Sequence, residues 1–380
     1  VALVLNDDQQ ILKRTAAELV RRQSPLGRVR ELRDGGGTEE FSRALWKQMA
    51  ELGWQGILIP EAYGGLGLGH LEMASALEEC GRNLVPEPLL STVLLGAGAI
   101  LAAGSEAQKK DLLPQVADGR LLLALAYHER GARYDAFATG CRAEPRHGGF
   151  VLSGEKALVF GGASADLLIV SARTSGRRCD PAGITLFVVE ADRPGVRIVR
   201  QTLMDLRAAA IINLDDVEVA PSAVLGSVDG GGPFLADVID RATIGVCAEL
   251  LGGAQAAFEM TMDYLRTRKQ FGVCIGSFQA LKHRAAKMYI ELELARSTLL
   301  GACQAVDTGS EDWRSAVSVA KARCSDAAVL VGYEGIQMHG GIGMTDEHDI
   351  GLYAKRARGL ELTFGDGAYH RERFARMQGF

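Results

Sequence analysis

Apolar positions recur at helical spacing through the first third of the chain. Asn6 precedes a run that puts Ile11, Leu12, Ala16, Leu19 and Val20 on one face, and Gln9 stands three residues after Asn6 as a capping-box partner would. A second helix is expected from near Thr38, carrying Phe41, Leu45, Met49 and Leu52, and stopping at Gly53. Glycines 64, 65, 67 and 69 mark a loop; they do not form GxGxxG after a strand, so an ordinary turn accounts for them. Further helices are expected over His70 to Gly81 and Leu89 to Ala103. From about Leu122 the period shortens to two, or to short runs rich in Val and Ile: Leu121 to Tyr127, Gly149 to Ser153, Leu167 to Ala172, Ile184 to Glu190 and Val217 to Val219. Turn clusters at Pro145 to Gly149 and Thr174 to Gly183 separate them. Pro221 and the glycines at 226 and 230 to 232 close this part, and Phe234 to Thr267, Ser277 to Val306 and Asp312 to Met338 read as three long helices. No internal repeat or low-complexity segment interrupts the pattern. The order is helical, β, helical, an α+β multidomain fold with boundaries expected at 1–121, 122–229 and 230–380.

Composition narrows the functions available to such a fold. The chain has 380 residues, 47% apolar and 23% charged, enough for two or three domains with ample core. Its 42 Lys+Arg against 47 Asp+Glu give a net charge of -5, which argues against nucleic-acid binding and polybasic membrane attachment, since both need a positive field. The longest apolar run, Leu89 to Gly104, contains Ser91, Thr92 and several glycines and falls short of the roughly 18 to 20 residues of a bilayer span. Val1 to Gln9 lack the basic and apolar pattern of a secretory signal. Seven cysteines at wide, unpatterned spacing fit reduced thiols in the cytoplasm. There is no CxxC or HExxH, so no metal site is expected.

Two stretches concentrate chemistry. Arg266-Thr267-Arg268-Lys269-Gln270-Phe271-Gly272, followed by Ile275-Gly276-Ser277-Phe278-Gln279, sets fixed cations, an aromatic and an amide at a junction between helices. That suits an anionic, aromatic-bearing ligand, with Ser277 placed to cap a helix whose N-terminal amides favour phosphate; a basic surface turn over a buried phenylalanine is the plainer account. Gln337-Met338-His339-Gly340-Gly341-Ile342-Gly343 lets a ligand approach the backbone, though a C-cap and turn explain the glycines equally well, and His339 suits a capping donor.

Together the two stretches resemble the acyl-CoA dehydrogenase family, whose RxxFG, FQ and Q-x-x-GG-x-G pattern is matched by Arg268, Phe271, Gly272, Phe278, Gln279, Gln337, Gly340, Gly341 and Gly343. Length and domain order agree over the whole chain. Cys247-Ala248-Glu249 and Phe364-Gly365-Asp366 are similar to segments in small subunits of the pimeloyl-CoA dehydrogenase type and related heteromeric enzymes. The resemblance implies an N-terminal helical domain, a middle β-barrel-like domain and a C-terminal four-helix-bundle domain. It also implies a tetramer with FAD extended at a subunit interface, an acyl-CoA substrate oxidised to a 2-enoyl-CoA, and an electron-transfer flavoprotein as acceptor. Carried over, Arg268, Phe271, Gln279, Gln337, Gly340 and Gly341 would bind the ADP portion of FAD held by a neighbouring subunit.

The segments the family uses for its own flavin depart from the pattern. The Thr-Glu-Pro-x-x-Gly-Ser stretch aligns with His128 to Tyr134, replacing the small hydroxyl offered to the pyrophosphate by Tyr134, and Trp-Ile-Thr at the flavin ring aligns with Leu158-Val159-Phe160. The reaction removes a proton alpha to the thioester while hydride leaves the beta carbon, so a carboxylate must stand beside the alpha carbon. The usual glutamate aligns with Phe364, and the alternative family location with Ala242. Glu249, in the apolar stretch Ile244 to Ala257, and Asp366, two positions beyond Phe364, are the candidate bases, with a structural salt bridge and a turn as their plainer roles. The expected function is one subunit of a heteromeric FAD-dependent acyl-CoA dehydrogenase. A non-catalytic partner completing a homologous subunit's FAD site, a homo-oligomeric dehydrogenase with an atypical base, and a flavin oxidase stay open. So does the acyl group: fatty, dicarboxylic or steroid side-chain.

Overall fold

The computed structural model describes residues 4–35 and 39–380. Helices dominate up to Ala117: α1 (Asp7–Gln23), α2 (Leu26–Asp34), α3 (Arg43–Glu51), α4 (His70–Arg82), a π-helical run Leu89–Ala97 leading into α5 (Gly98–Ala103), and α6 (Glu106–Ala117). The Asn6 capping box is formed, with Gln9 N donating to Asn6 Oδ1 and Asn6 N to Gln9 Oε1, each 2.9 Å. Ala16 and Val20 are buried on α1, but Ile11 faces solvent, so the apolar stripe is narrower than its sequence suggested. The expected start of the second helix at Thr38 lies outside the described residues. That helix runs from Arg43, where Ser42 Oγ accepts from Leu45 N, and its last apolar residue, Leu52, is exposed. The apolar period did not mark α2, where only Val29 is buried, or α6, nor the helices at Ile350–Leu362 and Gly367–Met377 near the end of the chain.

The middle of the chain is an eight-stranded sheet, with β1 (Leu123–Ala126), β2 (Arg142–Arg146), β3 (Gly149–Phe160), β4 (Leu167–Arg173), β5 (Ile184–Glu190), β6 (Val196–Thr202), β7 (Ala208–Val219) and β8 (Val224–Leu225). The order is β6-β7-β3-β2-β4-β5-β8, and β1 adds in parallel to β4. The strands β2 and β6 escape a hydrophobic reading because they are mostly solvent-facing. Two breaks in the β3–β7 register, at Leu152/Gly154 and Lys156/Val159, bend β3, and between the second pair Leu158 takes φ +50° and turns outward. Inside the sheet a fully buried Lys156 donates to Glu129 Oε1 (2.8 Å) and Ser171 Oγ (3.1 Å), while Gly140 and Cys141 amides complete the carboxylate. This paired charge fixes the loop after β1.

Beyond Gly231 come α7 (Gly231–Thr267), a two-residue-stranded hairpin β9 (Lys269–Gln270) and β10 (Val273–Cys274), α8 (Gln279–Asp307), α9 (Trp313–His339), α10 (Ile350–Leu362) and α11 (Gly367–Met377). The helix α7 packs against α4, α8, α9 and α10, so the bundle core and the N-terminal helices share one hydrophobic cluster. Glycine makes this possible where α4 and α7 cross: a Cβ at Gly252 would collide with Glu78 O, and one at Gly81 with Glu249 O. The seven cysteines are free thiols. Among the described residues no helix is long and apolar enough to cross a membrane, and no group of three or more His, Cys, Asp or Glu is placed to hold a metal ion.

Candidate functional site

The predicted chemistry falls at two places. The first is the end of the bundle where α7 stops, α8 begins and α9 ends. Between α7 and α8 the β9–β10 hairpin turns through Phe271 (φ +53°) and Gly272 (φ +81°), the two positive φ values of a tight primed turn. The turn pushes Phe271 out until it is 92% exposed, with only an edge contact to Phe278 at 6.2 Å. Arg268 is exposed and has no acidic partner among the described residues. Gln279 opens α8 in solvent, and Gln337, Gly340 and Gly341 are exposed at the end of α9, where a Cβ at either glycine would meet open space. The ends are tied together: Arg284 pairs with Glu334, and Tyr264 of α7 lies 4.5 Å from the His339 ring.

Beneath the glycines, His339 Nδ1 lies 2.7 Å from Gly335 O, a group that only accepts, so Nδ1 carries the proton and caps the helix end. Burial lowers the pKa of this imidazole, and Nε2 is left buried without a partner. Ser277 does not cap α8 as expected; its Oγ donates to Cys274 O (2.7 Å), and the helix starts after Phe278 with no side-chain cap. Leu281 N and Lys282 N donate to Phe278 O (each 3.2 Å), so only the Gln279 and Ala280 amides are left for an anion.

The second place is a cavity of about 840 Å³ between the sheet and the C-terminal helices. Tyr134, Leu158 and Phe160 line one side, Phe364 and Asp366 the other. The Arg207 guanidinium lies 4.7 Å from the Phe160 ring centroid; its Nε donates to Asp205 Oδ2 (2.6 Å) and its Nη2 to Thr363 Oγ1 (3.0 Å), binding the sheet domain to the end of α10. Phe364 has φ +60° and is followed by Gly365 at φ +115°. Such a backbone persists only when its surroundings hold it. Here Lys321 Nζ, fully buried, donates to Gly365 O and Glu361 O (each 2.7 Å), and His370 Nε2 donates to Phe364 O (3.1 Å). Burial pushes the Lys321 ammonium down to about 8, and burial together with Lys321 and Arg373 pushes His370 down to about 3.

The two candidate bases take other positions. Asp366 is the N-cap of α11: Oδ1 accepts from Tyr369 N (2.8 Å) and Oδ2 from Tyr134 Oη (3.3 Å), so the expected turn is a helix start and both oxygens are engaged. Glu249 is buried in α7 but does not line the cavity; Arg356 Nη1 stands 3.9 Å from it, and Arg356 Nε donates to Asp205 O (3.1 Å). Burial raises the Glu249 pKa and the Arg356 charge opposes it. That placement suits a counter-ion to a buried arginine. Asp240, on α7, lines the cavity, but Arg373 (2.6 Å) and Arg314 (3.3 Å) occupy it. Asp240, Arg207, Lys321 and His370 carry no mark in the sequence: Asp240 meets Arg373 across 133 positions, Arg207 meets Thr363 across 156 and Lys321 meets Gly365 across 44, and the short step from His370 to Phe364 follows no motif.

Sequence profiles of the acyl-CoA dehydrogenase N-terminal, middle and C-terminal domains match residues 6–120, 124–217 and 230–378. The chain belongs to the acyl-CoA dehydrogenase family. It is 33% identical over 345 residues to the probable acyl-CoA dehydrogenase YngJ of Bacillus subtilis, covering 90% of each. It is 30% identical to a chain in a structure of the electron transferring flavoprotein of Acidaminococcus fermentans (TM-score 0.93, all of both chains covered). It is 27% identical to a chain of the ChsE4-ChsE5 complex from Mycobacterium tuberculosis (TM-score 0.88, covering 100% of this chain and 99% of that one). The three-domain acyl-CoA dehydrogenase fold follows, and with it membership among FAD-dependent oxidoreductases.

FAD suits the two places unequally. The bundle end offers an unpaired cation, an exposed aromatic and open backbone, which fit a nucleotide diphosphate. In the cavity, the Tyr134 hydroxyl is already bonded to a carboxylate, and Leu158 and Phe160 offer no side-chain donor.

Proposed function

We propose that this chain is one subunit of a heteromeric, FAD-dependent acyl-CoA dehydrogenase, presenting Arg268, Phe271, Gln279, Gln337, Gly340 and Gly341 to the ADP portion of FAD held by a homologous subunit. One observation carries the reading: the surface offered to a neighbour is open and unpaired, while both family positions for the base hold apolar side chains, Phe364 and Ala242. The similarity to a chain of the ChsE4-ChsE5 complex supports a two-gene assembly. When bound, FAD supplies the acceptor for hydride from the acyl beta carbon. The work of this chain is to bind and orient: Arg268 neutralises phosphate charge, Phe271 gives apolar contact, and the bare backbone at Gly340 and Gly341 allows close approach. With Glu249 outside the cavity and Asp366 capping a helix, proton abstraction falls to the partner subunit, which also sets the acyl specificity. The electrons pass on to an electron-transfer flavoprotein, in the cytoplasm.

The test is co-expression with a homologous dehydrogenase subunit, reading flavin absorbance and the mass of the assembly. A coloured complex with fewer flavins than chains is expected, and Arg268→Glu should weaken its flavin binding by at least about tenfold. One FAD per chain with full turnover from this chain alone would sink the heteromer.

A further inference from the structure

We infer that Tyr134 and Asp366 close this chain's own cavity to the diphosphate of FAD, so that its part in flavin binding is confined to the surface it gives a neighbour. The inference rests on the proposed reading of the bundle end and adds a named cause for the chain's own lack of flavin.

The closure is built from both sides. Tyr134, on the loop between β1 and β2, reaches across to the start of α11, where its hydroxyl donates to Asp366 Oδ2 (3.3 Å) and its ring lies 5.1 Å from that of Tyr369. The wall behind Tyr134 is fixed: Gly131 and Arg133 take positive φ, His128 Nε2 donates to Arg133 O (3.2 Å), and Glu129 is locked by Lys156. The wall behind Asp366 is fixed too, since Lys321 and His370 hold the carbonyls of Gly365 and Phe364 and the Tyr369 amide holds the second carboxylate oxygen. Burial, with Asp366 beside it, pushes the Tyr134 phenol up to about 12, so it stays a donor at any physiological pH. Asp366 cannot swing away without losing its bond from Tyr369 N, and Tyr134 cannot without losing its bond to Asp366 and its ring contact with Tyr369.

Charge acts in the same direction. The amide end of α11, which would favour an anion, already carries the Asp366 carboxylate. Asp135 also lines the cavity, while the lining Asp205 and Asp240 are each paired with an arginine. Of the lining cations, Arg207 is spent on Asp205 and Thr363 and Arg373 on Asp240 and Ser318, leaving the exposed Arg133 at the rim. A diphosphate placed there meets a fixed like charge and a phenol ring in place of donors.

The prediction is a gain of function. In Tyr134→Ser/Asp366→Ser the ring and the charge go, while the serine at 366 still caps α11. Full-length wild type and variant are titrated with FAD, alone and in the co-expressed complex, with circular dichroism and assembly mass checking the fold. The variant should bind FAD at least about tenfold more tightly than wild type, and in the complex should move towards one flavin per chain. The two single variants should each recover part of the gain, and they carry the test if the double variant misfolds. No gain in either preparation overturns the inference, as does wild-type protein that already binds one FAD per chain with the variant's affinity. A complex with no flavin on the partner would overturn the proposed function instead, and a gain by the lone variant would still stand.

Discussion

His370 shows how a single side chain ties the site to stability. It is buried, donates to Phe364 O, and stays neutral because burial, Lys321 and Arg373 lower its pKa to about 3. Between that value and the ordinary histidine range the unfolded chain binds the extra proton and the folded chain does not, so stability falls as pH drops through about 6.5 towards 3. The loss attributable to His370 should reach roughly 2 kcal/mol between pH 8 and pH 5. In urea titrations, His370→Gln should be less stable at pH 8 but show a shallower decline on acidification; parallel declines in the two proteins would remove His370 from the account. Glu249 illustrates the converse. Its apolar surroundings in sequence suggested a raised pKa, and burial does raise it, yet the three-dimensional neighbour is Arg356 and the cavity is elsewhere. Glu249→Gln is expected to leave turnover of the assembled enzyme intact and to destabilise the chain by less than the ~3 kcal/mol of a fully broken buried pair, because Asp205 still faces the Arg356 charge.

At the level of elements, small irregularities aim the site. The break in β3 turns Leu158 outward and leaves Phe160 under Arg207, the primed turn of β9–β10 projects Phe271, and the α11 cap seats Asp366 against Tyr134. The crossing of α4 and α7 sets the frame on which these details hang. Since a Cβ at Gly252 would run into Glu78 O, Gly252→Ala should force the helices apart and destabilise the chain by about 3 kcal/mol, read from chemical denaturation. A variant as stable as wild type would show that the α4–α7 crossing yields more readily than this packing implies. The pattern of apolar residues located α1, α4, α7, α8 and α9 because each buries one face in a shared core. It passed over α2, β2 and β6, most of whose residues are not buried, and also α6, α10 and α11, and it gave Leu89 to Ala103 as one helix where the first nine residues are π-helical.

Across the whole molecule, an open bundle end stands against a cavity bridged by Tyr134 and Asp366. Phe271 makes almost no contact within its own chain, so Phe271→Ala should change the melting of the isolated chain by no more than about 0.5 kcal/mol while weakening flavin retention in the assembled complex. Equal flavin retention in both complexes would mean that this aromatic faces something other than the cofactor.

The sequence by itself determined the helical, β, helical order and the two motif stretches that mark the family, because apolar period and glycine placement act over short distances along the chain. That Arg268, Phe271, Gln279, Gln337, Gly340 and Gly341 lie at turns and helix ends was legible for the same reason, since those ends are set locally. Tertiary structure alone decided which charges face the cavity. Glu249 and Arg356, Tyr134 and Asp366, and Lys321 and Gly365 stand 107, 232 and 44 positions apart and meet only once the chain between them has folded. No periodicity records such meetings, since they depend on how whole domains dock.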